Sequence, residues 1–139
     1  MAALNGELIE GLNFALNREV STFLRYILQS ASIKGAQWAK TREIYEAEVQ
    51  DEVGHAQYLA NKIVMMGGTP KLDPDLTPPP GSVEQMLKND IQEEHKDVKH
   101  YLKMAALADK EGLADLKVQM EEQAADEARH GEQMQRLLG

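Results

Sequence analysis

The sequence predicts an all-α protein, a four-helix bundle with one long crossover between its second and third helices. Three observations carry that reading. Four stretches repeat apolar residues at i, i+3, i+4 and i+7, the period of a helix with one buried face. Glycines punctuate the ends of these stretches, at Gly35, Gly67-Gly68 and Gly112. All five prolines fall within one segment, 67–81, between the second and third stretches.

The first helix is expected over 5–34, opening near Asn5 and stopped by Gly35, with the stripe Leu8, Leu12, Ala15, Glu19, Thr22 or Phe23, and Tyr26. A carboxylate thus stands in the middle of an apolar face, where an unpaired charge is costly. Something must neutralise Glu19, and a metal ion can do so. The second helix, 37–66, carries Tyr45, Val49, Glu52, His55 or Ala56, Leu59, Ile63 and Met66 on its stripe and stops at Gly67-Gly68. The short Gly35-Ala36 link makes the first two helices antiparallel neighbours.

Segment 67–81 is read as an extended crossover. Its reach is at most about 50 Å, enough to pass a helix of roughly 30 residues and about 45 Å. The run Pro78-Pro79-Pro80 favours extended polyproline geometry. The third helix is therefore parallel to the second, and the crossover amides are expected to exchange freely. The third helix, 83–111, opens at the capping box Ser82-Val83-Glu84-Gln85 and has the stripe Leu87, Ile91, Glu94, Val98, Tyr101, Ala105 and Ala108. Gly112 ends it. The fourth helix, 113–138, presents Leu116, Met120, Gln123 or Ala124, Glu127, His130, Met134 and Leu137. The whole chain, 1–139, reads as one domain, long enough to bury a core without staples.

The chain has no cysteine, which removes disulfides, iron–sulfur clusters and thiolate zinc sites and leaves histidine and carboxylate as the metal-binding side chains. No apolar run approaches the length of a membrane helix, and the opening residues, Met1 to Glu7, have neither the basic nor the apolar part of a secretion signal. The expectation is a cytoplasmic protein without a membrane partner. Fifteen basic against 23 acidic residues give a net charge of −8, with no basic tail. Nucleic acid is thereby disfavoured as a partner; the charge draws cations or serves solubility.

The apolar stripes are interrupted twice by the same motif, Asp51-Glu52-Val53-Gly54-His55 and Asp126-Glu127-Ala128-Arg129-His130. A Glu and a His three residues apart project from one face of a helix and can grip one ion or flank a pair. Thirty-three residues separate Glu19 from Glu52, and the same number separates Glu94 from Glu127; a tyrosine, Tyr26 or Tyr101, lies seven residues after each lone Glu. Each of these four levels is near the middle of its helix, so Glu19, Glu52, His55, Glu94, Glu127 and His130 converge at one depth. This inventory matches that of di-iron and di-manganese carboxylate bundles.

Glu94 is favoured over its neighbour Glu93 by spacing and stripe, and His95 and His100 lack any such register and are expected at the surface. Asp51 and Asp126 are placed either to bond the outer nitrogen of a ligand histidine on a neighbouring helix or to face solvent. Tyr26 and Tyr101 are placed either to bond ligand carboxylates or supply an electron, or to be core tyrosines.

With these residues in hand, the chain resembles the ferritin-like superfamily, and its spacings are most similar to bacterioferritin. The resemblance implies a ferroxidase that binds two Fe(II), oxidises them with O₂ or H₂O₂, and stores the product in a homo-oligomeric shell. It implies Glu52 and Glu127 as bridging ligands, Glu19 and His55 on one metal, Glu94 and His130 on the other, with Tyr26 beside the site. Manganese and zinc also suit these donors.

Three positions depart from the bacterioferritin pattern. Val53 stands where a methionine ligates haem, Ala47 replaces an inner-surface histidine, and the sequence ends at Gly139 without a fifth helix. No haem is expected, a dodecameric or larger cage is, and Gly54 is expected to be a place of tight subunit packing. A second resemblance, to rubrerythrin, implies a di-iron peroxidase in which Asp97 acts as an extra carboxylate ligand. A non-catalytic metal-binding or structural bundle is the third reading.

Overall fold

The computed structural model describes the backbone of residues 2–139 and side chains from Gly6 onward. Among the described residues the regular elements are helical: α1 (Ala2–Ser32), a single 3₁₀ turn (Ala36–Trp38), α2 (Ala39–Met65), α3 (Val83–Lys110) and α4 (Ala114–Leu138). The all-α bundle expected from the sequence is therefore the fold. None of these helices is long and apolar enough to cross a membrane.

The expected boundaries need small corrections at the first hairpin. α1 begins at Ala2, ahead of Asn5, whose side chain lies outside the described residues, and it ends at Ser32, ahead of Lys34. α2 starts at Ala39, because 36–38 form the 3₁₀ turn, closed by Trp38 N–H donating to Gly35 C=O at 3.1 Å. The other two glycine stops behave as the sequence implies. Gly67 (φ 86°) and Gly112 (φ 73°) adopt the left-handed conformation that ends a helix. Gly68 N–H then reaches Ile63 C=O and Gly67 N–H reaches Val64 C=O, while Leu113 N–H and Gly112 N–H reach Ala108 and Asp109 in the same way. Both are Schellman closures. Ser82 Oγ accepts from Gln85 N–H at 3.2 Å and caps α3.

The crossover is extended, as expected, but it is not unpartnered. Lys71 N–H donates to Asn13 Oδ1 (2.8 Å), Asp73 N–H to Asn17 Oδ1 and Asp75 N–H to Ser21 Oγ (2.8 Å); Asn13 and Asn17 return bonds to Thr69 and Lys71 carbonyls. The match is one of pitch. Four residues of helix rise about 6 Å and two residues of extended chain advance about 6.6 Å, so side chains four apart on α1 meet every second crossover amide. This ladder lays 69–75 parallel to α1. It delivers α3 antiparallel to α1, and thus parallel to α2.

Leu8, Leu12, Leu59, Ile63, Met104, Leu116 and Met120 form one apolar cluster, and Tyr26, Tyr45, Met86, Leu87, Ile91 and Met134 a second. Of the expected stripe, Phe23, Val49, Met66, Val98 and Leu137 are only half-buried. His95 is exposed as expected. His100 corrects the expectation: it is half-buried, its Nε2 donates to Gly11 C=O at 2.8 Å, and its ring packs on Phe14 with centroids 4.7 Å apart.

Asn17→Ala removes two of the ladder's contacts to the crossover. A net hydrogen bond contributes about 1 kcal/mol, a factor of about five, so hydrogen exchange at Asp73 should speed up by about fivefold or more while the four helices keep their protection. Uniform loss of protection across α1 and α2 would contradict the ladder's local role.

Candidate metal centre

The hairpins place the six groups. Gly35-Ala36 lies midway between Glu19 and Glu52, and Lys110-Glu111 midway between Glu94 and Glu127. Residues equally distant from a hairpin turn share a level on its two arms. Glu19, Glu52, His55, Glu94, Glu127 and His130 are accordingly all buried, none more than 6% exposed. One donor atom from each of Glu19, Glu52, His55 and Glu127 lies within 4.8 Å of the others, and the same is true of Glu52, Glu94, Glu127 and His130. Glu52 and Glu127 belong to both sets. The structure thus brings together all six residues that the sequence singles out.

The surrounding bonds orient them. His55 Nε2 donates to Asp126 Oδ2 at 2.8 Å and His130 Nε2 to Asp51 Oδ2 at 2.9 Å, each across to the other hairpin. Asp51 and Asp126 therefore take the histidine-orienting place. Each imidazole is left with Nδ1 turned inward: His55 Nδ1 is 3.4 Å from Glu19 Oε2 and from Glu127 Oε1, and His130 Nδ1 is 3.1 Å from Glu52 Oε1. Tyr26 donates to Glu94 Oε1 at 2.5 Å, and Tyr101 to Glu19 Oε1 at 2.6 Å, again across hairpins.

What remains unbonded is the informative part. Glu19 Oε2, Glu94 Oε2, both oxygens of Glu52, both of Glu127, and Nδ1 of His55 and His130 are buried without a hydrogen-bond partner. Buried polar atoms in folded proteins are as a rule paired, and an unpaired buried charge is strongly destabilising. Without a metal, protons must fill the gap. Burial and then repulsion from Glu19 push the Glu52 and Glu127 carboxyls well above the ordinary range. Burial opposes charge on His130, but Glu94, Glu48 and Glu127 outweigh it and hold the imidazolium up to about 10. Two divalent cations would cancel four carboxylates and leave both imidazoles neutral, so the donor set fits a pair of such ions.

Two other expectations resolve here. Glu93 is turned away and pairs with Arg18 at 3.1 Å, which leaves the site to Glu94. Asp97, the extra ligand of the peroxidase reading, is buried but lies outside both groups of converging donors, and its Oδ1 accepts from Arg18 Nε at 2.7 Å. A Cβ at Gly54, where packing between subunits is expected, would meet nothing within 4 Å in its own chain, so that face of α2 is open.

Residues 9–139 match the family described as a ferritin-like domain. A bacterial ferritin of Pseudomonas aeruginosa is 30% identical over 122 residues, covering 76% of this chain and 79% of that protein. Among solved structures, a ferritin-like, di-iron-carboxylate protein from Bacillus anthracis is 37% identical and superposes over 100% of both chains with a TM-score of 0.95. A dodecameric thioferritin from Bacteroides fragilis, 23% identical, covers 96% of this chain and 85% of its own with a TM-score of 0.84, a likeness of fold.

Sequence reasoning missed Glu48 and Asp90, both buried one turn before a ligand glutamate. Their i−4 spacing from Glu52 and Glu94 is the signal that could have found them. Asp90 is fully bonded, accepting from Arg25 Nε (2.8 Å), Gln29 Nε2 (2.7 Å) and Tyr45 Oη (2.7 Å). Neither oxygen of Glu48 has a partner. Burial first, then the Glu94 and Asp90 charges against a favourable His130, push its carboxyl from 4.5 up to about 8.

A raised carboxyl keeps its proton in the native chain where the unfolded chain has lost it. Stability of the metal-free protein therefore falls as pH rises from 4.5 to about 8 and levels off beyond. At pH 7 this single group costs on the order of 3 kcal/mol. Glu48→Gln should flatten that fall and raise the Tm of metal-free protein at pH 8 by about 5 °C or more. A variant that melts lower than wild type at pH 8 would show that Glu48 is ionised and paired.

Proposed function

The chain belongs to the ferritin-like domain family, and from that premise we propose that it is a di-iron ferroxidase that oxidises Fe(II) with O₂ or H₂O₂ for iron storage and detoxification. The observation that carries the proposal is the set of eight buried, unpartnered donor atoms arranged as two overlapping groups. Glu19 and His55 would hold one Fe(II), Glu94 and His130 the other, and Glu52 and Glu127, common to both groups, would serve both. Tyr26 stands beside the site on Glu94.

The ligand chemistry supports oxidation. Carboxylate oxygens are hard donors that favour the ferric over the ferrous ion, so the protein draws Fe(II) toward loss of an electron. Each of two Fe(II) gives one electron. Together they convert O₂ and two protons to H₂O₂, or H₂O₂ and two protons to two molecules of water. The cross-hairpin bonds from Asp51, Asp126, Tyr26 and Tyr101 keep the ligands oriented, which lowers the reorganisation that charge transfer demands. Manganese and zinc suit the same donors and compete for them.

Storage requires an enclosed volume, and the proposal includes a homo-oligomeric shell, dodecameric or larger. It is supported by the fold likeness to a dodecameric protein and by an apolar surface formed by Leu24, Ile27 and Leu28 of α1 with Leu76 of the crossover. Val53 offers no donor atom for haem iron, so no haem ligated at that position forms part of the proposal.

The test is aerobic addition of Fe(II) to metal-free protein, following ferric absorbance and the iron retained per chain. Rapid oxidation with many irons retained is expected, in a particle far above 15.5 kDa by light scattering. Glu127→Ala should slow the rapid phase at least tenfold. Retention of only about two irons with fast peroxide consumption would assign the chain to a peroxide reductase, and an unslowed Glu127→Ala would remove the ligand assignment.

A further inference from the structure

The two hairpins are near-repeats displaced by 75 residues, which carries Glu19 onto Glu94, Tyr26 onto Tyr101, Asp51 onto Asp126, Glu52 onto Glu127 and His55 onto His130. The ligands and their orienting groups obey this repeat. Their surroundings do not. Around Tyr26 stand Arg25, Gln29, Tyr45 and Asp90; the corresponding positions around Tyr101 are His100, Met104, Met120 and Ala15. Met104, Met120 and Ala15 belong to the apolar cluster that contains Tyr101, whereas the Tyr26 side is a hydrogen-bonded polar network.

Within that network Tyr45 is nearly completely buried, and its ring meets the Tyr26 ring edge-on with centroids 4.9 Å apart. Its hydroxyl donates to Asp90 Oδ2 at 2.7 Å. Tyr26 in turn donates to Glu94 at 2.5 Å. Each phenol therefore has a carboxylate to receive its proton, and the two rings touch. A phenol is oxidised readily only if its proton can leave with the electron, and a buried phenol beside apolar side chains has nowhere to send it. Trp38 packs against the same cluster and is half-buried.

We propose that Tyr45, with Asp90 as its proton acceptor, is a one-electron relay that restores Tyr26 after Tyr26 has given an electron to the oxidant at the iron site. The inference rests on the ferroxidase reading. Two Fe(II) supply two electrons, whereas reduction of O₂ to water takes four. Tyr26 supplies a further electron to the oxygen oxidant and its proton moves to Glu94. An electron then passes from Tyr45 to Tyr26, the Glu94 proton returns to Tyr26, and the Tyr45 proton moves to Asp90. Tyr26 is again a phenol, Tyr45 is a neutral radical, and Asp90 is a neutral acid. A further Fe(II) in solution reduces Tyr45, becoming Fe(III), as the Asp90 proton returns; a second turn of the relay, drawing on another Fe(II), delivers the fourth electron, and four protons from solvent complete two molecules of water. Tyr101 lacks both a second phenol and a second carboxylate, Met120 and Ala15 standing at those places, so the relay has one direction.

The test is freeze-quench electron paramagnetic resonance after protein holding two Fe(II) is mixed with O₂ and then with further Fe(II), using ring-deuterated tyrosine to identify a tyrosyl signal. Tyr45→Phe keeps the ring and removes the transferable proton. It should lengthen the lifetime of the tyrosyl radical at least tenfold, or reveal one where wild type shows none, and Tyr26→Phe should abolish the early signal. Asp90→Asn, which keeps Tyr45 and removes its base, should lengthen the lifetime likewise. Circular dichroism and the two-iron stoichiometry check each variant. Wild-type decay rates in Tyr45→Phe, or no tyrosyl signal in any variant while Fe(II) is oxidised normally, overturn the relay alone. Failure of wild type to oxidise Fe(II) overturns both the relay and the ferroxidase reading.

Discussion

The structure depends on one constraint: four carboxylates and two imidazoles are held in the middle of a helical core with eight of their donor atoms unbonded. No arrangement of apolar side chains relieves that. The six groups interrupt apolar stripes that otherwise run the length of each helix, and the apolar clusters lie to either side of them. The groups are buried, so a cation or a set of displaced protons must balance the charge. The fold is a device for keeping anionic ligands together where they would otherwise repel one another.

The bonds that achieve this cross between the hairpins. His55 of α2 is held by Asp126 of α4 and His130 of α4 by Asp51 of α2; Tyr26 of α1 holds Glu94 of α3, and Tyr101 of α3 holds Glu19 of α1. Each hairpin supplies ligands whose orientation the other fixes, so the site exists only when both are docked. The reciprocity also decides which nitrogen of each histidine is free. Because Nε2 is spent on an aspartate, Nδ1 faces inward, and both rings present the same atom to the cluster. Equal treatment stops beyond this shell, where Arg25, Gln29, Tyr45, Glu48 and Asp90 make one side polar.

Much of this was legible in the sequence because the chain is written twice. Matched 33-residue spacings fix the level of the ligands on each hairpin, and helical periodicity puts them on the buried face. The orienting aspartates and tyrosines could be located but their roles could not, since spacing alone places a residue beside a ligand equally well toward solvent until the helix rotation is known. Glu48 and Asp90 escaped because they are singular. Their counterparts, Gln123 and Ala15, carry no charge, so the repeat that flagged the ligands was silent about them. The crossover's ladder was hidden for a different reason: it joins side chains on α1 to backbone amides, and sequence periodicity does not record backbone partners.

The most direct measure of the central constraint is the melting temperature of metal-free protein titrated anaerobically with Mn(II), which occupies such ligands without changing oxidation state. If the unbonded donors form a two-ion site, Tm climbs steeply up to two ions per chain and changes little beyond the second, apart from the slow mass-action rise expected of excess ligand. A Tm that does not move, or that turns at one ion per chain, would contradict the account.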